Sequence, residues 1–380
     1  MDLDRVESYQ TNEEKEQYIL GLCRKCIENE NYAELLEILT KSQESWKSLS
    51  TARLSKIIKT VFEQIPITFS TYQDVLSFLN GLVNWASDKK MLKLDLECKL
   101  IHVYLSVGKF KECLQKISEV LKELKKYDDK VNLISLYVFE SRAYYELKDF
   151  SRARSSLTSA RSMAVSSACP AYLQAQIDML NGMYLSDEHS FETSISYFIE
   201  SLECFYQDKQ VENAKTALRY IVLSKILSGK YEDIRGILES KPSVFIKDDP
   251  MVVLLCEIAK VCKNRNLKDY SNLLHNNRAA LEADSYIYRH LNYVYNILLD
   301  QNILKIIEPY SHIKIQFIAK KLGFSEEVVE SKLRNMILDK SVVGILDHIS
   351  QCLLLYEQEE ARPKTALQNI QVLNKFFKDD

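Results

Sequence analysis

Cys23 and Cys26 stand in CxxC spacing, an arrangement that can hold half of a zinc site. Zinc needs four ligands, and no second pair completes the set. Both cysteines also fall in a stretch with helical periodicity, so they read as packed structural thiols. The histidines His102, His189, His275, His290, His312 and His348 are dispersed, with no HExxH and no HxH cluster. No GxSxG elbow, P-loop or GxGxxG fingerprint occurs. Carboxylates are plentiful but lie on expected solvated helix faces, without a pair placed for acid and base work. These residues predict a non-enzyme: no catalytic group, no metal site and no cofactor.

Composition narrows the class. The 380 residues are 46% hydrophobic and 27% charged, an ordinary globular balance, and this length suggests two or three domains. Only 6 prolines and 8 glycines interrupt the chain, which favours long helices over turn-rich sheets. With 50 Lys and Arg against 53 Asp and Glu, the net charge of -3 offers no global attraction to a polyanion. Nine scattered cysteines form no disulfide framework, and the opening MDLDRVESYQTNEEKEQY is too acidic and polar for a signal peptide. The longest apolar runs, such as Met251 to Cys256, are far below the roughly 18 residues that span a bilayer. The expectation is an intracellular, soluble protein with reduced thiols.

The elements are mostly helices. Leu114, Ile117, Val120, Leu121 and Leu124 make one clear stripe at helical spacing. Four turns look alike: GKFKEC, KDFSRA, HSFETS and GKYEDI. Their aromatic residues Phe110, Phe150, Phe191 and Tyr231 are separated by 40, 41 and 40 positions. Tyr32 and Tyr72 extend the series upstream. Each aromatic is read as opening the second helix of a hairpin. A small residue three positions on (Cys113, Ala153, Ser194) lets the first helix approach. Hairpins with two apolar faces must stack, which predicts a mainly α, right-handed solenoid of tetratricopeptide-like repeats over 1–240. Lys241 to Pro250 reads as a turn-rich break, and helices resume to Pro309.

After Pro309 the pattern changes. SHIKI reads as a short strand. A brief helix carries Ile315, Ile318 and Leu322 and ends at Gly323. A second helix from Ser325 carries Val329, Leu333 and Ile337, and β character returns at Gly344. That is a winged helix, a shape that can read DNA. Its second helix opens on Glu326, Glu327 and Glu330, however, and 308–350 holds six cations (Lys314, Lys320, Lys321, Lys332, Arg334, Lys340) against six acids. Phosphates would be repelled at the helix tip, so a protein-binding module is the stronger reading and nucleic-acid binding the alternative. Last, Leu367, Ile370, Leu373, Phe376 and Phe377 line one side of a terminal helix that needs a partner surface, either its own chain or a bundle of other subunits.

A helical array running into EPYSHIKIQFIAKKLGFSEEVVESKLRNMILDKSVVGILD, with KDFSRARSSLTSAR upstream and KTALQNIQVLNKFF at the end, resembles the PCI-domain family. Proteins of this family scaffold the proteasome lid, the signalosome and a translation initiation factor. The motifs are most similar to the proteasome-lid branch. The resemblance implies repeats over 1–240, a helical part of the PCI domain over 241–307, a winged helix over 308–358 and a bundle helix over 359–380. It also implies a non-catalytic scaffold for ubiquitin-dependent proteolysis in cytoplasm and nucleus. The implied partners are other PCI subunits at the winged helix and a helical bundle at the terminal helix. The N-terminal repeats would meet the outer ring of the core particle and the ATPase ring. A scaffold of the signalosome or of a translation factor is the alternative. The chain departs from the family after Asp347, where His348-Ile349-Ser350-Gln351 replaces a Gly-containing wing turn.

Overall fold

The computed structural model describes residues 12–29, 31–45, 51–63, 65, 72–127, 129–347 and 350–356. Among them the chain divides into two compact units. One runs to Ser224 and includes Ser240–Ile246; the other comprises Lys225–Glu239 and the chain from Lys247 onward.

The first unit is a succession of antiparallel helices. They are α1 (Asn12–Glu28), α2 (Tyr32–Ser45), α3 (Thr51–Glu63), α4 (Tyr72–Trp85), α5 (Lys90–Ser106), α6 (Phe110–Tyr127), α7 (Lys130–Glu146), α8 (Phe150–Ser166), α9 (Ala171–Asp187), α10 (Phe191–Gln207) and most of α11 (Val211–Leu227). From α5 onward two kinds of helix alternate. One side of α5 (Leu92, Leu96, Leu100) joins a core with α1–α4, while its other side (Leu94, Cys98, Ile101) joins a core with α6 and α7. Likewise α7 gives Leu133 and Leu136 to one core and Ile134 and Val138 to the next. By contrast α6 buries a single stripe of Cys113, Ile117, Val120, Leu121 and Leu124 and keeps a charged face. Two-faced helices between one-faced helices are what a stacked hairpin array requires. Each fully buried Leu or Ile contributes about 1.5–3 kcal/mol to holding the stack together.

The turns show how the period is built. α5, α7 and α9 are followed by a residue in the left-handed region: Gly108 (φ 82), Lys148 (φ 63) and His189 (φ 62). The next amide then reaches back across the last turn: Lys109 N to Tyr104 O at 3.0 Å, Asp149 N to Tyr144 O at 3.0 Å, and Ser190 N to Leu185 O at 2.9 Å. This closure satisfies carbonyls that a helix end leaves open, and it reverses the chain within a few residues. Phe110, Phe150 and Phe191 are the first residues of α6, α8 and α10. Asp149 also caps α8 by accepting from the Arg152 amide at 3.2 Å.

Residue size at the hairpin crossing grades how closely the helices pack. Cys113, Ala153 and Ser194 are all fully buried there. Facing them, at the same 40- and 41-residue steps, are Ile101, Ser141 and Gly182. The Ile101–Cys113 hairpin is the loosest of the three. α7 with α8 and α9 with α10, which set small residues on both sides, pack much more intimately. Ser141 adds a hydrogen bond from its hydroxyl to the Ala153 carbonyl at 2.8 Å and shares another with the Tyr184 hydroxyl at 2.6 Å. Tyr145 stacks on Tyr184, with ring centroids 5.1 Å apart, and donates to Asp187 Oδ2 at 2.7 Å, tying α7 to α9. The sequence Lys241 to Pro250 holds a short helix, α13 (Lys241–Val244), besides its turns, and Phe245 stacks on Tyr206 of α10.

The second unit contains α12 (Asp233–Leu238), α14 (Pro250–Lys263), α15 (Leu267–Asn276), α16 (Arg278–Glu282) and the long α17 (Ser285–Ile307). Tyr231 lies in the turn before α12 rather than on its first residue, and Gly229 (φ 72) makes the same left-handed closure. Asp284 caps α17 by accepting from the Tyr286 and Ile287 amides. Fully buried Tyr270 of α15 donates to the Leu291 carbonyl at 2.8 Å, seating α15 on α17. The winged helix follows as β1 (His312–Lys314), α18 (Ile315–Leu322), α19 (Glu326–Leu338), β2 (Gly344–Asp347) and β3 (Cys352–Leu355). Its antiparallel sheet runs in the order β1-β3-β2.

At Gly182 a Cβ would lie 2.5 Å from the fully buried Phe198 ring. Gly182→Ala should therefore destabilise the α9–α10 hairpin by about 1–3 kcal/mol. Differential scanning calorimetry should show one transition lowered by several degrees; an unchanged profile would mean that Phe198 can move aside.

Candidate protein-interaction surfaces

The winged helix is built on the end of α17. Leu299, Ile303 and Ile307 from α17 join Ile313, Ile315, Ile318, Ala319, Val329, Leu333, Met336, Val342 and Leu353 in one buried cluster, with Leu322 and Ile337 packed partly against it. Gly323, at φ 80, closes α18 in the left-handed conformation. Ser325 occupies the position before α19, but its side chain makes no capping hydrogen bond. Glu326 and Glu327 fill the first turn of α19, where carboxylates are favoured by the helix dipole.

The cations of α19 are already engaged. Lys332 Nζ lies 3.0 Å from Asp300 Oδ1 on α17, and Arg334 Nη2 lies 2.9 Å from Glu330 Oε1 one turn back. A helix that reads the major groove presents free basic or amide side chains at its start. This one presents carboxylates at its start and holds its two cations in ion pairs.

What the wing does offer is backbone. β3 is central, so among the described residues β1 and β2 each have an unpaired edge. Val343 O accepts from Tyr356 N at 3.0 Å, and Gly344 pairs with Leu355 and Ile345 with Leu354 in the register. Antiparallel alternation then turns the N–H and C=O groups of Gly344 and Leu346 outward, away from β3. Exposed edges are usually guarded by Lys, Pro or charge. His312 and Lys314 on β1 are exposed and polar, whereas on β2 Gly344, Ile345 and Leu346 carry no such guard and Asp347 at its end is the one charge. Gly344 is also sterically fixed, because a Cβ there would fall onto the Leu354 carbonyl oxygen. At the β2–β3 turn, Gln351 takes the left-handed conformation, at φ 50. His348 and Ile349 lie outside the described residues, as do Leu367, Ile370, Leu373, Phe376 and Phe377.

No chemical centre competes with these surfaces among the described residues, where no group of His, Cys, Asp and Glu could hold a metal ion. Burial pushes the Cys23 thiol up to about 12, with Cys26 adding to the shift, so neither sulfur of the CxxC pair is poised as a thiolate. An open groove between α14 and α15, of about 400 Å³, is lined by Glu257, Lys260, Asp269, Asn272 and Leu273. No described helix is long and apolar enough to cross a membrane. The aromatics Phe110, Phe150 and Phe191 sit half-buried or exposed beside the hairpin turns; Phe150 packs on Tyr145 at the end of α7, with ring centroids 5.7 Å apart, and Phe191 on His189 of its own turn at 5.8 Å.

The PCI domain description matches residues 267–357, and that of the 26S proteasome regulatory subunit RPN6 N-terminal domain matches residues 2–107. The chain is 30% identical over 349 residues to the probable 26S proteasome regulatory subunit rpn6 of Schizosaccharomyces pombe, covering 91% of this chain and 83% of the relative. It is 31% identical over 351 residues to 26S proteasome regulatory subunit RPN6 of Saccharomyces cerevisiae, covering 90% and 80%. It is 30% identical over 349 residues to the 26S proteasome non-ATPase regulatory subunit 11 homolog of Arabidopsis thaliana, covering 91% and 83%. The chain belongs to this family of 26S proteasome regulatory subunits, RPN6 or non-ATPase subunit 11, and the PCI resemblance read from its motifs holds.

Two outcomes follow from the geometry. Gly344→Val should separate β2 from β3, so that hydrogen exchange accelerates in 344–356 while α14 and α17 keep their protection. Unchanged exchange in 344–356 would show that the wing tolerates the side chain. His102 of α5, tilted against Phe139 at 5.5 Å, is held neutral by burial, with Lys99 and Arg142 adding, and its pKa is pushed down to about 4. Unfolding restores an ordinary value near 6.5, so the stability due to the neutral ring is complete above about pH 6.5 and is lost as pH falls toward 4, by up to about 3 kcal/mol. Urea denaturation at pH 7, 6 and 5 should show this loss, and His102→Gln should flatten the slope.

Proposed function

We propose that the chain is a non-catalytic scaffold of the proteasome regulatory-particle lid, bracing the lid to the core particle and the ATPase ring for ubiquitin-dependent proteolysis in cytoplasm and nucleus. The observation that carries this reading is the pairing of a helical-hairpin array with a winged helix whose two α19 cations, Lys332 and Arg334, are held in ion pairs and whose β2 edge is unpaired among the described residues. The relatives are named as 26S proteasome regulatory subunits, which supports this reading over the signalosome or a translation factor. The division of labour we infer is repeats over 1–240, the helical part of the PCI domain over 241–307, the winged helix over 308–358 and a bundle helix over 359–380.

In this reading the winged helix joins a neighbouring PCI subunit by strand addition at β2. Main-chain hydrogen bonds supply affinity, and the exposed side chains supply selectivity. Gly344 keeps β2 against β3. Ile315, Ile318, Leu322, Val329, Leu333 and Ile337 hold the helices behind it, and Leu367, Ile370, Leu373, Phe376 and Phe377 enter the helical bundle. Phe110, Phe150, Phe191 and Tyr231 set the hairpins whose surfaces meet the core and ATPase rings. A hairpin array suits a brace, because each repeat touches only its neighbours and the array can flex between a fixed ring and a moving one.

Affinity purification of the tagged chain from native lysate with ATP, followed by mass spectrometry, tests this reading. Core-particle and ATPase subunits should co-purify; cullin regulators or ribosomal subunits in their place would overturn it. Leu346→Pro should remove the outward N–H of β2 and release a PCI neighbour at least tenfold more than Leu346→Ala, which controls for lost packing. Equal retention by the two variants would rule out strand addition at this edge.

A further inference from the structure

We propose that the groove between α14 and α15 is a peptide-binding site, which grips an extended, basic segment of a partner protein by its main chain. The asparagines of α15 point to this. Asn266 and Asn277, at the two ends of the helix, have structural partners. Asn266 accepts from the Asp269 amide at 3.4 Å, and Asn277 donates to the Leu273 carbonyl at 3.1 Å. Asn272 and Asn276 lie within the helix, where asparagine is a poor former and caps nothing. Both are exposed and both line the groove. Among the described residues neither side chain hydrogen-bonds to the protein.

Their spacing fits one kind of ligand. Four residues of α-helix rise about 6 Å. In an extended chain the N–H and C=O groups of every second residue face the same side, a repeat of about 6.6 Å. A carboxamide both donates and accepts, so each asparagine can hold the N–H and C=O of one such residue. A helical ligand has its main-chain groups already paired and would leave both carboxamides unmatched. The α15 wall from Asp269 to Asn276 is about 10 Å long, room for about three extended residues.

The rest of the groove sets what those residues are. Val261 of α14 and Leu273 of α15, both partly buried, give it an apolar floor for one side chain. The rim carries the carboxylates of Glu257 and Asp269 against the ammonium of Lys260. Asn266 Nδ2 donates to Asp269 Oδ2 at 2.5 Å, which holds that carboxylate in place. No ion pair joins Lys260 to either acid among the described residues, so the carboxylates stay available. Two acids against one cation favour a basic ligand. Main-chain hydrogen bonds then supply affinity, and the central apolar residue with its basic flanks supplies selectivity. The groove precedes the winged helix in the chain, and its use depends neither on the β2 edge nor on which assembly the chain joins.

Fluorescence anisotropy with the purified full-length chain tests this. The probes are fluorescein-labelled pentapeptides of the form KXZXK, with Z apolar and X any residue, and a matching EXZXE set. Saturable binding is expected for the basic set and binding weaker by about tenfold or more for the acidic set. The tightest basic peptide should lose about tenfold or more in affinity when its central main-chain amides are N-methylated. It should lose as much against Asn272→Ala/Asn276→Ala, whose far-UV circular dichroism should be unchanged because alanine favours the helix at both exposed positions. No saturable binding by the basic set would overturn the proposal. Equal binding of the acidic set, tolerance of N-methylation, or affinity untouched by the double substitution would each overturn it as well.

Discussion

A helix that ends leaves its last carbonyls without partners, and this chain meets that constraint the same way again and again. One residue turns left-handed and the following amide reaches back five residues. The closure appears at Gly108, Lys148, His189 and Lys209, at Gly229 and Arg265, and at Gly323 and Lys340. Because the turn takes only a few residues, helices of about 17 residues return antiparallel and adjacent, as α5 with α6, α7 with α8 and α9 with α10 do. The 40-residue step in the sequence is two such helices plus two such connections. The stacked cores, the alternation of two-faced and one-faced helices and the placement of the aromatics all descend from it.

The closure fixes where helices meet but not how closely. That second quantity is set by a few small side chains, and it varies along the array. Ile101 opposite Cys113 keeps α5 and α6 apart, while Gly182 lets the Phe198 ring approach its backbone. The tighter crossings bring hydroxyls into buried positions, and two of these find partners across the crossing: Ser141 with Ala153 O and Tyr184, and Ser201 with Ala175 O. Buried polar groups that are satisfied make the crossing specific as well as close.

The hairpin period was legible because aromatics recur after each turn, and the winged helix because its period switches between α and β. Less was visible where the deciding feature is conformational. Lys148 and His189 carry the left-handed turns that Gly108 and Gly229 announce by type, at a cost of roughly 1 kcal/mol or more that no sequence pattern marks. Tyr231 has the spacing of a helix start but sits in a turn, because α12 begins only at Asp233. The engaged state of Lys332 could not be read from order in the chain, since its partner Asp300 is 32 positions upstream on another helix.

The charge pattern of α19 explains how a DNA-reading shape can be turned to protein assembly. A winged helix has two things to offer: the start of its second helix, and its sheet. Carboxylates at Glu326 and Glu327 favour the helix dipole and so help the fold, but the same charges close the helix start to phosphates. Pairing Lys332 with Asp300 then uses a cation to lock α19 onto α17 rather than leave it for a ligand. With the helix committed to its own support, the sheet is the remaining surface, and its β2 edge lacks the Lys and Pro guards of strands that must stay alone. An unguarded edge is an aggregation risk in a free chain and a binding site in an assembled one. A short, four-residue β2 backed by Gly344 limits the first while permitting the second, because few hydrogen bonds are available until a neighbour of matching register supplies the rest of the interface.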